Sequence, residues 1–259
     1  MTKKKTLNLP KVYEVKEDTP EKFHKYKGIP KLSYSQFTSW TDPKYFNDYV
    51  LQYIMGGPSS SNFWAEFGTF CGTVLEYRML RDEGADKEVL DKAFEYLNEK
   101  DIAVLKEVDA KIPQNAVYER EIVIYREDLG YTLQGFVDLC FDKEKKTIVV
   151  DFKTGNKNSK DKGEKFYASE KYGQTSIYSY AIEEEGEEIG YCGVILLDRT
   201  YEGEFENPIL HLSGDVVPIP TPYTKEGAEK VLNKIDKVVL EISSLKDTYD
   251  QLKQLTITI

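Results

Sequence analysis

The sequence predicts an α/β protein in which a central mixed β-sheet is flanked by helices and closed by one long C-terminal helix. Three observations predict it. A run of alternating segments follows Pro113, helical periodicity dominates the stretch before it, and apolar residues recur at helical spacing from Thr224 to about Leu252. With 259 residues, 40% hydrophobic and 31% charged, the chain can bury a substantial core. Nineteen Tyr and twelve Phe argue against wholesale disorder.

Residues 1–30 hold many charges and prolines at 10, 20 and 30, and read as an extended arm. Residues 31–259 read as one domain with an N-terminal helical part over 31–112. Ser33 or Ser35 can cap a first helix carrying Phe37 and Trp40, with Tyr45 and Phe46 beyond. Residues 51–61, with Gly56-Gly57-Pro58 and the serines after it, read as a loop. A helix is expected from Asn62 to about Arg81, with Phe63, Phe67, Phe70, Cys71, Val74 and Leu75 as its apolar stripe. Its other face reads Ala65, Thr69, Gly72, Glu76, three small residues and then an acid. A second helix is expected from about Asp86 to Leu105.

Residues 117–126, 131–141 and 146–153 then read as an antiparallel three-stranded meander. A polar, Lys-rich loop follows from Lys157 to Lys165. A helix is expected over 164–184, a buried strand over 189–197 and a further strand over 206–217. The C-terminal helix (224–252) carries Val231, Leu232, Ile235, Val238, Ile242, Leu245, Tyr249 and Leu252, a stripe for packing across the core or for a partner helix.

The chemistry is expected in the second hairpin of the meander. If its turn centres between Glu144 and Lys145, opposed residues sum to 289, and Asp138 faces Asp151. Directly opposed side chains lie about 5 Å apart on one face. Alternation puts Lys153 on that face and leaves Leu139, Phe141, Ile148, Val150 and Phe152 on the other. A bare D-x-K triplet is ordinarily a surface ion pair. Two carboxylates this close raise one pKa unless a cation lies between them, and Mg²⁺ favours one or two carboxylates plus waters and phosphate oxygens. A nearby ammonium can then position water or stabilise charge on a phosphate. Gln174 and Tyr178, four apart, share a helix face.

In order along the chain, Leu32-Ser33-Tyr34-Ser35, Gly68 through Glu76, Gly135-Phe136-Val137-Asp138, Asp151-Phe152-Lys153-Thr154-Gly155 and Gln174 through Tyr178 resemble the motifs of the RecB-type branch of the PD-(D/E)xK nuclease superfamily. The resemblance spans residues 32–181. It implies a restriction-endonuclease-like core and Mg²⁺-dependent hydrolysis of DNA, with Mn²⁺ able to substitute. It further implies Asp138, Asp151 and the Phe152 carbonyl as metal ligands, Glu76 as an accessory acid, Lys153 as the catalytic lysine, and Gln174 and Tyr178 as supports of the site or DNA contacts. Exonuclease action of the kind found in phage recombination or DNA degradation is its further implication, with a recombinase or single-strand-binding protein as the partner such enzymes imply. A structure-specific endonuclease and a non-catalytic binding module on the same fold are the alternatives.

Gly72 stands where the family often has a metal-ligating His, and Asp42-Pro43 where some members begin an iron–sulfur clasp with Cys-Pro. Cys71, Cys140 and Cys192 are scattered, so no iron–sulfur cluster is expected, and buried thiols fit a reducing cytoplasm. With no G-x-x-x-x-G-K-[ST] loop, no nucleotide is expected. No run approaches the length of a membrane span. The net charge of −10 disfavours non-specific coating of nucleic acid, so contact with DNA is expected from local bases, Lys157, Lys160, Lys162 and Lys165, with Lys3 to Lys5 as a flexible addition.

Overall fold

The computed structural model describes residues 25–26, 29–57, 63–78, 87–205 and 207–257. Its spine is a mixed sheet. The strands are β1 (Lys25–Tyr26), β2 (Ile29–Leu32), β3 (Val117–Arg126), β4 (Tyr131–Lys143), β5 (Lys146–Gly155), β6 (Ile189–Glu204) and β7 (Asn207–Pro220). The order is β1-β2-β4-β5-β6-β7, with β3 pairing β4 as well. β3, β4 and β5 form the antiparallel meander, and β2–β4 and β5–β6 run parallel. Residues 25–26 and 29–30, at the end of the expected arm, are therefore strand residues, in β1 at the sheet's edge and in β2 between β1 and β4. The expected arm over 1–24, with Lys3 to Lys5, lies outside the described residues.

The hairpin register follows the arithmetic. Leu139 pairs with Val150 and Lys143 with Lys146, each pair summing to 289. Glu144 and Lys145 form the two-residue turn, both at positive φ (55° and 67°), as tight hairpin turns require. The ladder stops at Leu139–Val150, so Asp138 and Asp151 occupy the next step without pairing through their backbones. One edge of β4 is shared: β2 pairs with it at Thr132 and Leu133, and β5 from Leu139 onward. Between them the sheet forks.

Helices cover both faces. α3 (Phe63–Leu75), α4 (Lys87–Tyr96) and α5 (Glu99–Asp109) pack Phe67, Cys71, Leu75, Leu97 and Leu105 against Leu139, Val150 and Phe152. The expected apolar face of the hairpin is thus core, although Phe63 at the start of α3 is exposed. The single helix expected over 86–105 is two. Asn98 accepts from the Asp101 amide, and Asp101 reciprocates at the Asn98 amide, so a new helix starts inside that window.

On the opposite face lie α1 (Tyr34–Thr41), capped by Ser33 with a reciprocal Gln36 bond, and then α2 (Phe46–Tyr49), which passes into a π-helical turn over Val50–Ile54. Residues 51–54 of that turn fall within the stretch expected to be loop; residues 58–62 lie outside the described residues. The helix expected over 164–184 also divides, into α6 (Glu164–Tyr167) and α7 (Gln174–Glu184). The break is packing. Gly173, whose amide donates to the Tyr34 hydroxyl, approaches Val231 so closely that a Cβ there would lie 3.0 Å from it.

The long α8 (Lys225–Ile257) buries Leu232, Ile235, Val238 and Ile242 against Tyr34, Phe37, Tyr131, Leu133 and Ile177. It packs on the core, as its stripe allows, but Leu252 is 58% exposed. Asp236 fixes its rotation by accepting from Arg126 and from the Tyr131 hydroxyl (2.7 Å). The three cysteines are buried and unpaired, and burial pushes the Cys71 thiol up to about 12.

Candidate active site

The fork in the sheet makes the site. Residues 134–138 of β4 have no strand partner on the edge shared by β2 and β5, so a polar side chain can take a ladder's place. Asp138 does so: the Phe152 amide donates to its Oδ2 (2.7 Å). α7 rises behind. Gln174 Nε2 donates to Asp151 Oδ1 (2.9 Å), and its amide group also lies 2.7 Å from the Tyr178 hydroxyl. Gln174 and Tyr178 therefore face inward. The glycine of the Gly135-to-Asp138 segment has a steric reason, because a Cβ at 135 would meet the Tyr178 ring at 2.7 Å.

Asp151 is 0% exposed, and both its carboxylate oxygens have partners, with Oδ1 keeping one acceptor position open. Besides Gln174, its Oδ2 accepts from the Tyr172 hydroxyl (2.7 Å) and pairs with Lys153 Nζ (2.5 Å). Burial alone would lower the Lys153 pKa, but the charges of Asp151 and Asp138 hold it raised, so the ammonium stays protonated. Asp138 titrates well above the usual carboxylate range, through burial first and the Asp151 charge second, with Lys153 opposing.

Asp138 lines two cavities. One, of about 390 Å³, is walled by α3 through Trp64, Gly68, Thr69, Gly72 and Glu76, and by Glu119, Phe152, Lys153 and Thr154. The other, of about 350 Å³, lies on the α1 side with Ser33, Ser35, Gln134, Gln174 and Tyr178. Glu119 lines both. The two spaces meet at Asp138 and Glu119, and Asp151 sits behind that junction.

Two members of this constellation escape a motif reading. Glu119 lies on β3 between residues that pair with Leu139 and Val137, and its φ is +49°, a strained value for a non-glycine residue. Extending the β3–β4 register would have put Glu119 beside Asp138; the alternation of residues 117–126 alone reads as an ordinary strand. Tyr172 lies in the α6–α7 connection, where no periodicity flags it.

Glu76 and Glu119 share a hydrogen bond, and the Glu76 carboxyl is pushed up to about 8, by burial first and then by Glu119. Burial raises Glu119 as well. Glu76 thus holds a proton that the unfolded chain releases near pH ~4.5. This contributes stability that is present below that pH and lost as pH rises to about 8. In chelator, the wild-type unfolding free energy is expected to fall between pH ~5 and ~8, by up to about 1 kcal/mol per pH unit from this group, with the melting temperature falling alongside it, and Glu76→Gln to flatten that slope. Parallel slopes in calorimetric scans of the two proteins would refute the shared proton.

Crowded carboxyls driven toward protonation are the condition that a divalent cation relieves. Among the described residues no three acidic, imidazole or thiol groups form a ready cation cage. The donors present fit an ion held by one or two carboxylates, with waters and substrate oxygens completing its shell. Gly72 leaves room on the cavity wall, since a Cβ there would meet only Glu76 Oε1, at 3.7 Å.

The four loop lysines differ in their surroundings. Lys157 pairs with Asp215, and its amide donates to Asp198 (2.8 Å), which ties the loop to β6 and β7. Lys162 sits 5.1 Å above the Tyr45 ring, while Lys160 and Lys165 are exposed. No described helix is long and apolar enough to cross a membrane.

Comparison with known proteins bears on this geometry. A crystal structure from Eubacterium rectale, described as a "putative exonuclease", superposes with a TM-score of 0.50 at 13% identity, covering 85% of this chain and 82% of that one. At that identity the likeness speaks for the fold alone. The crystal structure of SSO0001 aligns over 76% of this chain and 81% of its own at 15% identity, with a TM-score of 0.31, too low to argue from. No curated protein matches. The sequence profile of the PD-(D/E)XK nuclease superfamily matches residues 32–250, a span that takes in the fork, both cavities and most of α8. The chain belongs to the PD-(D/E)XK nuclease superfamily.

Proposed function

We propose that the protein is a divalent-metal-dependent deoxyribonuclease, using Mg²⁺ with Mn²⁺ as a substitute, and that it acts as an exonuclease. The observation that supports this most is the convergence of Asp138, Glu119 and the Lys153 ammonium on one cavity at the fork. Asp138 and Asp151 are the proposed metal ligands, with the Phe152 carbonyl, and with Glu119 and Glu76 on the α3 side. A cation held there supplies charge neutralisation at the phosphate and acidifies a bound water. Asp151, anchored by Tyr172 and Gln174, orients Lys153. The Lys153 ammonium lies beside the reacting phosphate and stabilises the negative charge that builds on its oxygens. A water oxygen bonds to phosphorus and releases a proton to solvent as the bond to the leaving sugar oxygen breaks, and the sugar oxygen takes up a proton from solvent. Gln174 and Tyr178 hold Asp151 in place. Lys160 and Lys165, with Lys162 beside Tyr45, are proposed to meet the DNA backbone; Lys157 does so after leaving Asp215.

The exonuclease assignment rests on the resemblance to phage recombination and degradation enzymes. A recombinase or single-strand-binding partner is proposed on the same basis. Linear and covalently closed circular DNA incubated with Mn²⁺ test the reading. Loss of the linear form with circles intact is expected. Cutting of closed circles would replace the exonuclease with an endonuclease. No degradation of any DNA, with Asp138→Ala indistinguishable from wild type, would leave a binding module.

A further inference from the structure

We propose that Trp64, Tyr201 and Phe205 form a base-stacking platform at the mouth of the catalytic cavity, so that the strand presented to the site is unpaired. The inference deepens the nuclease reading and rests on it for the reaction, though not for the binding.

The platform joins two distant segments, the first turn of α3 and the tip of the β6–β7 hairpin. Trp64 lines the cavity that holds Asp138, Glu119 and Lys153. Tyr201 meets its ring edge-on at 5.3 Å, and Phe205 lies tilted against it at 5.3 Å. The Arg199 guanidinium stacks on Trp64 at 4.6 Å and donates to the Trp64 carbonyl (3.1 Å), which fixes the ring from below. Tyr201 is 50% exposed and Phe205 60%. Rings this exposed gain little from the core, and a contiguous apolar surface bordering a polar cavity is a usual mark of a binding face.

The charges around the rings narrow the occupant. Along β6 side chains alternate, so Glu202 falls on the side of the strand opposite Tyr201, and Glu204 follows at the hairpin tip. The hairpin is thus acidic beside an aromatic face, which disfavours a phosphate backbone laid along it. A base presents an uncharged π-face, and every base has one, so stacking tolerates any sequence. A duplex buries its base faces except at its ends. An unpaired nucleotide stacked on Trp64 would place its neighbouring phosphate toward Asp138 and Lys153, which line the same cavity.

The chain has two tryptophans, so Trp40→Phe leaves Trp64 as the sole indole. In an Asp138→Asn background, which keeps the probe uncut, an oligothymidylate of roughly 12 nucleotides is expected to quench that fluorescence. By anisotropy of the labelled oligonucleotide, Trp64→Ala should raise Kd by about tenfold, within the range for loss of one stacked base, and Trp64→Phe should recover most of it. Phe205→Ala, at an exposed position that guards against a folding artefact, should raise Kd at least about threefold. A blunt hairpin duplex should compete at least about tenfold worse than the single strand. Absence of quenching, a Trp64→Ala Kd within about twofold of the parent, or equal competition by duplex would each overturn the platform, leaving the aromatic face to a duplex end or a protein partner. If wild type degrades DNA but the platform variants bind normally, the platform fails and the nuclease reading stands. If the oligonucleotide binds on Trp64 but nothing is degraded, the platform stands and the nuclease reading fails.

Discussion

Asp138→Asn is expected to lower DNA hydrolysis by at least about 10³-fold while making the metal-free protein more stable, not less. The two effects have one cause. Asp138 is held above the ordinary carboxylate range by burial and by the neighbouring Asp151. An amide of the same shape still accepts from the Phe152 amide, so the contact at the fork survives while the buried charge is gone. In chelator, relief of about 1 kcal/mol would raise the melting temperature by about 2–4 °C. Added Mn²⁺ should stabilise wild type by mass action and leave Asp138→Asn nearly unmoved. Thermal scans with and without Mn²⁺, beside a degradation assay, separate this from simple misfolding, which would lower both quantities. A variant that keeps more than about a tenth of the activity, or that gains the same Mn²⁺ shift, would remove Asp138 from the metal site.

The second large effect is expected where no charge changes. Gly135→Ala adds one carbon 2.7 Å from Cε1 of the buried Tyr178, whose hydroxyl meets Gln174, which in turn holds Asp151. The ring must move. Overpacking of this kind costs about 1–3 kcal/mol, or roughly 3–10 °C in melting temperature. Because the displaced ring takes Gln174 with it, activity should fall at least about tenfold through Asp151 and Lys153. Pairing the change with Tyr178→Leu should restore part of the lost stability, since contacting residues are not additive. Fully additive losses in a double-mutant cycle would show that the glycine serves some other purpose.

Much of this was legible locally. The two-residue turn at Glu144 and Lys145, the register summing to 289 and the apolar face of the hairpin all follow from alternation and turn geometry, which are properties of neighbours in the chain. The Ser33 cap and most of the α8 stripe are of the same kind. Helix boundaries were less legible where an interior signal interrupted the period. Asn98 restarts a helix by capping, and Gly173 ends the α6–α7 connection because Val231 packs against it.

By itself, then, the sequence determined the meander, the hairpin register that sets Asp138 across from the Asp151-Phe152-Lys153 segment and the helical layers, because turn geometry, strand alternation and helical period are local properties of the chain. Tertiary structure decided the fork between β2 and β5, which frees Asp138 from the ladder, the arrival of Tyr172 at Asp151 and the approach of Glu119 to Glu76. It also turned Lys157 away toward Asp215 and brought Trp64 to Tyr201 and Phe205. These are contacts between segments separated by tens of residues or more. Their geometry is set by how sheet and helices close on one another, and no local period encodes that.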